Sequence, residues 1–135
     1  MSVVTTKYLG KARVTSTYNK THETITTDAG TQAGGYGEHA NPVEILCTAL
    51  AACALTVMGL NAEKSGASFA GCYAEVDDYE EDTTTFVVTR IAITFHLKAE
   101  FDEKLRKKLE AFSHRACFVG NSLKTEKDFT YIYDL

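Results

Sequence analysis

One segment limits what this chain can fold into more than any other. Between Ile45 and Ala62 the sequence reads ILCTALAACALTVMGLNA and carries no charged residue. It is flanked by helix signals. Asn41 can cap the backbone, Pro42 suits the first helical position, and Glu44 three residues after the cap completes an Asn-x-x-Glu capping box. Gly66 can terminate it. The pattern predicts one helix over Asn41–Lys64, about 36 Å long at 1.5 Å per residue. A helix that is apolar or small on every side should be buried on every side. A membrane span needs about 20 strongly apolar residues with flanking anchors. This segment is rich instead in Ala, Thr and Cys behind a polar cap, which favours the core helix of a soluble domain.

The rest of the chain predicts the partners of that helix. Lys7–Thr17 and Glu23–Asp28 read as strands, joined by a turn at Asn19–His22. A loop from Ala29 to Ala40 holds Gly30, Gly34, Gly35 and Gly37. After the helix the period becomes two: first Ala70–Val76, then Val87–Leu97. In the second run Ile91, Ile93, Phe95 and Leu97 form the inward set, with Arg90 and His96 on the other face. A second, amphipathic helix follows over Asp102–His114, with Leu105, Leu109 and Phe112 as its stripe. A short strand, Phe129–Tyr133, ends the chain. The order is that of an α+β fold, and 135 residues suggest a single domain over 1–135. One small sheet and one amphipathic helix cannot cover every side of the central helix. The remaining surface is expected to meet a second copy, since symmetric pairs are the commonest assembly.

Charge and cysteine usage narrow the function. A net charge of -4 gives no reason to expect nucleic acid or an anionic membrane as partner. The N-terminus lacks a basic then apolar leader pattern. Four cysteines (Cys47, Cys53, Cys72 and Cys117) are then expected to sit in a reducing compartment, the cytoplasm, where disulfides are mostly transient and catalytic.

Cys53 lies in mid-helix on the face of Leu46, Leu50, Val57 and Leu60, where a thiol is by default a small core residue. Acting as a nucleophile requires the thiolate. The helix dipole is too far away to help, because it fades within the first turn, so a cation must come from elsewhere. Cys117 follows the second helix, and its neighbours His114 and Arg115 could favour its thiolate or simply be solvated. Cys47 and Cys72 fit core positions of their elements. Gly35-Tyr36-Gly37-Glu38-His39-Ala40 matches a loose dinucleotide fingerprint but sits in no βαβ unit. His114-x-x-Cys117 lacks the second close-spaced pair that a zinc site needs. No metal or organic cofactor is expected.

Three stretches together resemble the OsmC/Ohr family. Asn41-Pro42-x-Glu44 leading to Ala49-Leu50-Ala51-Ala52-Cys53 is similar to the opening of its central helix and its first cysteine. Cys117-x-Val119-x-x-Ser122-Leu123 resembles its second-cysteine segment. Thr27-Asp28-Ala29 before a glycine loop, with Arg13 upstream, resembles its N-terminal region. Val43 directly after Asn41-Pro42, and Phe118 after Cys117, place the resemblance with the general OsmC-like branch. The resemblance implies an OsmC-like fold, with antiparallel sheets wrapped around a long buried central helix in an intertwined homodimer whose active sites lie at the dimer interface. It implies a cysteine-based peroxidase for organic hydroperoxides or hydrogen peroxide, acting in stress response and regenerated by an external thiol reductant. In it Cys53 is peroxidatic, Cys117 resolves its sulfenic acid, Arg13 is the cation beside Cys53, and Glu44 is the carboxylate. Two alternatives stay open: a non-enzymatic redox or stress protein of the same fold, and a module that binds small acyl-thioester-like molecules.

Overall fold

The computed structural model describes residues 1–135. Their contacts cluster into two compact units, Met1–Leu46 and Cys47–Leu135.

The first unit is a three-stranded antiparallel sheet in the order β1 (Val4–Gly10), β2 (Arg13–Tyr18), β3 (Glu23–Asp28). The sequence suggested one strand over Lys7–Thr17, and the structure breaks it. Gly10, Lys11 and Ala12 turn the chain with φ of 102°, 49° and 59°. Successive positive φ values match the twist of a tight hairpin. Neither Lys11 nor Ala12 is a residue that advertises such a turn, so the break carried no sequence signal. Threonine and serine hydroxyls meet across the strands, Thr6 with Ser16 at 3.1 Å and Thr15 with Thr26 at 3.4 Å. Within residues 1–46 only Asp28 and Gly35 are buried, while Val4, Tyr8, Leu9 and Ile25 are exposed.

The long helix, α1 (Pro42–Lys64), forms where its sequence predicts. Asn41 Oδ1 accepts from the Glu44 N–H at 2.9 Å, and Glu44 Oε1 accepts from the Asn41 N–H at 2.9 Å. This is a closed capping box. At the other end the Gly66 N–H donates to Glu63 O and the Ala67 N–H to Ala62 O. Those bonds, with Gly66 at φ 82°, make a Schellman stop.

In the second unit, β4 (Tyr73–Asp82) and β5 (Val87–His96) pair antiparallel, but β6 (Glu126–Ile132) joins β5 in parallel. The second sheet is therefore mixed, which corrects the expectation of purely antiparallel sheets. The cause is the connection. Between β5 and β6 the chain runs through α2 (Glu103–Arg115) and a short α3 (Phe118–Asn121), and a helical crossover returns a strand in the same direction. Asp102 caps α2 by accepting from the Leu105 N–H at 2.8 Å. The core joins Cys47, Leu50, Ala54, Met58 and Ala62 of α1 to Ile91, Ile93 and Phe95 of β5, Leu97 just beyond it, Leu109 of α2 and Cys117. The period-two set of β5 is fully buried as its pattern required.

Burial of α1 on all sides is not what a single chain achieves. Seven of its 23 residues are buried. Cys53, Leu55 and Val57 are half-buried, and Leu60 is 53% exposed. The buried strip holds Cys47, Leu50, Ala51, Ala54, Met58 and Ala62. Cys53 lies at its edge, not on a shared fully buried face with Leu60.

One polar cluster ties the chain's last residues to the sheet. His96 at the end of β5 stacks on Tyr73, with ring centroids 4.5 Å apart. Its Nδ1 faces Asp134 at 3.1 Å and its Nε2 faces Glu75 at 2.9 Å. Hydrogen bonding to Asp134, then to Glu75, raises the His96 pKa above its ordinary value. A group whose folded pKa is raised stabilises fully below its unfolded value, about 6.5, and loses that effect as pH climbs through the folded value. Replacing His96 with Gln should therefore lower the urea midpoint more at pH 5.5 than at pH 9. Equal losses at both pH values would show that the imidazolium contributes nothing.

Candidate active site

The second unit brings two of the expected residues together. Cys53 projects from the middle of α1. Cys117 sits in the turn between α2 and α3 and is the N-cap residue of α3. The crossover that makes β6 parallel carries Cys117 back to α1, where the two thiols lie within hydrogen-bonding reach of each other. All four cysteines are free thiols.

Cys117 is fully buried. Its Sγ accepts from the Gly120 N–H at 3.3 Å and from the Val119 N–H. Gly120 also touches Leu50: a Cβ there would stand 3.4 Å from Leu50 Cδ1 and 3.4 Å from Cys117 Sγ. Burial pushes the Cys117 thiol up, the hydrogen bond to Cys53 adds to that, and the two N–H groups oppose it. The neighbours that might have held Cys117 as thiolate are occupied elsewhere. His114 stacks on Phe129 at 4.4 Å, with its pKa lowered by burial and then by Lys127. The Arg115 guanidinium lies 5.8 Å over the Phe112 ring. Cys47 is buried in the core and Cys72 half-buried beside it, and burial raises the Cys72 thiol. No group of three or more His, Cys, Asp or Glu side chains converges to hold a metal.

Arg13 has a built setting in the first unit. Its Nε bonds Asp28 Oδ1 at 2.7 Å and its Nη2 bonds Asp28 Oδ2 at 2.8 Å, a bidentate pair. Nη2 also reaches Glu38 Oε1 at 2.7 Å, and the guanidinium lies 4.4 Å over the Tyr36 ring. Asp28 is 1% exposed, and Arg13 holds its pKa far below the usual carboxylate range, helped by N–H bonds from Glu38 and His39 at 3.0 Å each.

The glycine loop explains this setting. Gly35 packs so closely that a Cβ would stand 2.1 Å from Ala29 O, which only glycine permits. The Gly35 N–H donates to Gly30 O, and the Gly37 N–H to Ala29 O. This compact turn aims the next two N–H groups at Asp28. The apparent dinucleotide fingerprint is thus the scaffold of an ion pair. Asp28, Tyr36 and Glu38 were not singled out from sequence as Arg13 partners; the available signal was the aspartate closing β3 before four clustered glycines. Glu44, read as the site carboxylate, closes the α1 capping box.

Comparison with known proteins agrees with this architecture. Residues 35–132 match the sequence family described as OsmC-like protein. A Psychrobacter arcticus 273-4 protein, named for osmotic stress induction and detoxification response, superposes with a TM-score of 0.91 at 26% identity, covering 97% of this chain and 96% of that one. A Vibrio cholerae OsmC-like protein of unknown function superposes with a TM-score of 0.81 at 15% identity, covering 96% and 97%. A Legionella pneumophila organic hydroperoxide resistance protein OsmC gives 0.70 at 17% identity, covering 97% and 96%. No functionally curated protein matches the chain.

The Asp28 setting makes a pH-dependent prediction. A carboxylate whose folded pKa is depressed stabilises above its unfolded value, about 3.9, and loses that effect as pH falls toward the folded value. Asp28→Asn should lower the urea midpoint at pH 7, and the gap to the unmodified chain should narrow steadily below pH 3.9. A gap that stays constant down to pH 2 would mean the Asp28 charge is not what stabilises the fold.

Proposed function

This chain belongs to the OsmC-like protein family, and from that premise we propose that it is a thiol peroxidase using Cys53 and Cys117. The observation that carries the reading is the meeting of these two thiols, drawn from elements 64 positions apart, inside one core. Cys53, half-buried at the edge of the α1 strip, is the sulfur a substrate can reach. As thiolate it attacks the distal oxygen of a hydroperoxide. The O–O bond breaks, the alkoxide leaves and takes a proton, and Cys53 becomes a sulfenic acid. The buried Cys117 then displaces water from that sulfenic acid, forming a disulfide. An external thiol reductant restores both thiols. Organic hydroperoxides are the preferred substrate class in this proposal, in line with the Legionella pneumophila relative named for resistance to them.

By the family resemblance, this proposal assigns Arg13 as the cation that favours the thiolate. Its Nε and Nη2 are taken by Asp28 and Glu38, which holds the guanidinium in one orientation. In this proposal Asp28 and Glu38 act as positioning residues. The protein works as a homodimer. The support is physical: residues 1–46 contain no apolar core, and α1 leaves Leu60 and its neighbours uncovered. Peroxide and a thiol reductant are its partners, and a reducing cytoplasm suits four free thiols.

Adding one equivalent of cumene hydroperoxide to the reduced protein, with thiols mapped by mass spectrometry, should give a Cys53–Cys117 disulfide ahead of any oxidation at Cys47 or Cys72. Cys53→Ser should abolish peroxide consumption, and Cys117→Ser should accumulate sulfenic acid at Cys53. Arg13→Ala should slow the peroxide step on the order of 10²-fold, as for loss of one charge-stabilising donor. Slow oxidation spread over all four cysteines would rule the enzyme out.

A further inference from the structure

The two sulfurs are not equivalent, and the difference decides how the oxidised site is reduced. Cys117 is fully enclosed by its own unit, so association with any second molecule leaves it enclosed. Cys53 is open in part. Cys117 Sγ also sits at the start of α3 as the acceptor of two backbone N–H groups, Gly120 at 3.3 Å and Val119. N–H groups aimed at sulfur favour the thiolate. In thiol–disulfide exchange the rate depends on access to the attacked sulfur and on how readily the other leaves as thiolate. Access here points to Cys53, and the N–H groups at Cys117 offset part of the burial that raises its thiol.

We propose that the reductant, a small thiol or dithiol, attacks Cys53 Sγ and expels Cys117 as a thiolate received by the Val119 and Gly120 N–H groups. The step rests on the redox-pair reading above and balances as follows. The reductant thiolate forms a new S–S bond with Cys53, the Cys53–Cys117 bond breaks, and its electron pair stays on Cys117. The Cys117 thiolate then takes a proton, which its buried setting favours. A second thiol, from the same dithiol or another molecule, releases Cys53 and leaves the reductant oxidised. Gly120 serves twice: its N–H meets the departing sulfur, and its missing side chain lets the turn lie against Leu50. The peroxide and the reductant therefore approach the same sulfur by turns, and Cys117 never meets either.

The test forms the disulfide with diamide, a thiol oxidant that is not a peroxide, so that it does not depend on peroxidase activity. The oxidised protein is mixed with glutathione, quenched in acid within the first half-life, and the adduct is mapped by mass spectrometry. The expected result is a glutathione adduct on Cys53 exceeding that on Cys117 by at least tenfold. An adduct equally distributed, or mainly on Cys117, overturns the proposal, as does failure of diamide to link the two. If diamide forms the disulfide and cumene hydroperoxide does not, the peroxidase reading fails while the direction of reduction is still decided. Gly120→Pro, which deletes one donor to Cys117, should slow glutathione reduction at least threefold in protein that retains its helical spectrum. An unchanged rate in that folded variant removes the N–H groups from the step, and the adduct position in the unmodified chain stands as the test should the variant not fold.

Discussion

The packing of α1 against β5 is the constraint from which the second unit follows. Ile91, Ile93 and Phe95, with Leu97 beyond the strand, present a continuous apolar surface, and α1 lays Leu50, Ala54, Met58 and Ala62 on it. Small residues on the helix allow a close approach. Gly59 makes room on another side for the Phe69 ring from the segment after α1, 3.1 Å from where a Cβ would stand. With β5 committed to this face, the crossover through α2 and α3 must return to the same sheet to place β6. The bend between those helices is where Cys117 meets α1. The meeting of the thiols is thus a product of topology and requires no local motif around either one.

The first unit obeys a different constraint. It has almost nothing apolar to bury, and its fixed point is an ion pair. A bidentate arginine–aspartate contact with a buried carboxylate is costly to assemble unless every oxygen is satisfied. Here Asp28 receives two bonds from Arg13 and two from backbone N–H groups. The glycine loop exists in this form to complete that set. What could pass for a nucleotide cradle is electrostatic scaffolding around a guanidinium, consistent with the charge-handling role proposed for Arg13.

The sequence made α1 legible to within a residue, because its cap, its stop and its uncharged interior are all local signals. The inward face of β5 was equally clear from alternation. Three features escaped. The β1–β2 turn used Lys11 and Ala12 in a conformation that neither residue type signals. The parallel placement of β6 depends on how far the chain travels between strands, which periodicity along a strand does not encode. The Arg13 partners were hidden because an exposed-looking arginine and an aspartate at a strand end become a pair only through register, Arg13 opposite Asp28. Cys53 and Cys117 could be named from the sequence, yet their proximity could not, since it is set by the fold of the residues between them.

That separation along the chain has a consequence for durability. A bond between Cys53 and Cys117 would close a loop of 65 residues, both cysteines included. Cross-linking a loop of that size restricts the unfolded ensemble by about 4 kcal/mol in the chain-entropy model. Each catalytic cycle would then alternate between a loosely tethered polypeptide and a stapled one. The molecule would be hardest to unfold just after it has met an oxidant, and softest when reduced and ready, so resistance to proteolysis and heat would itself report the redox state.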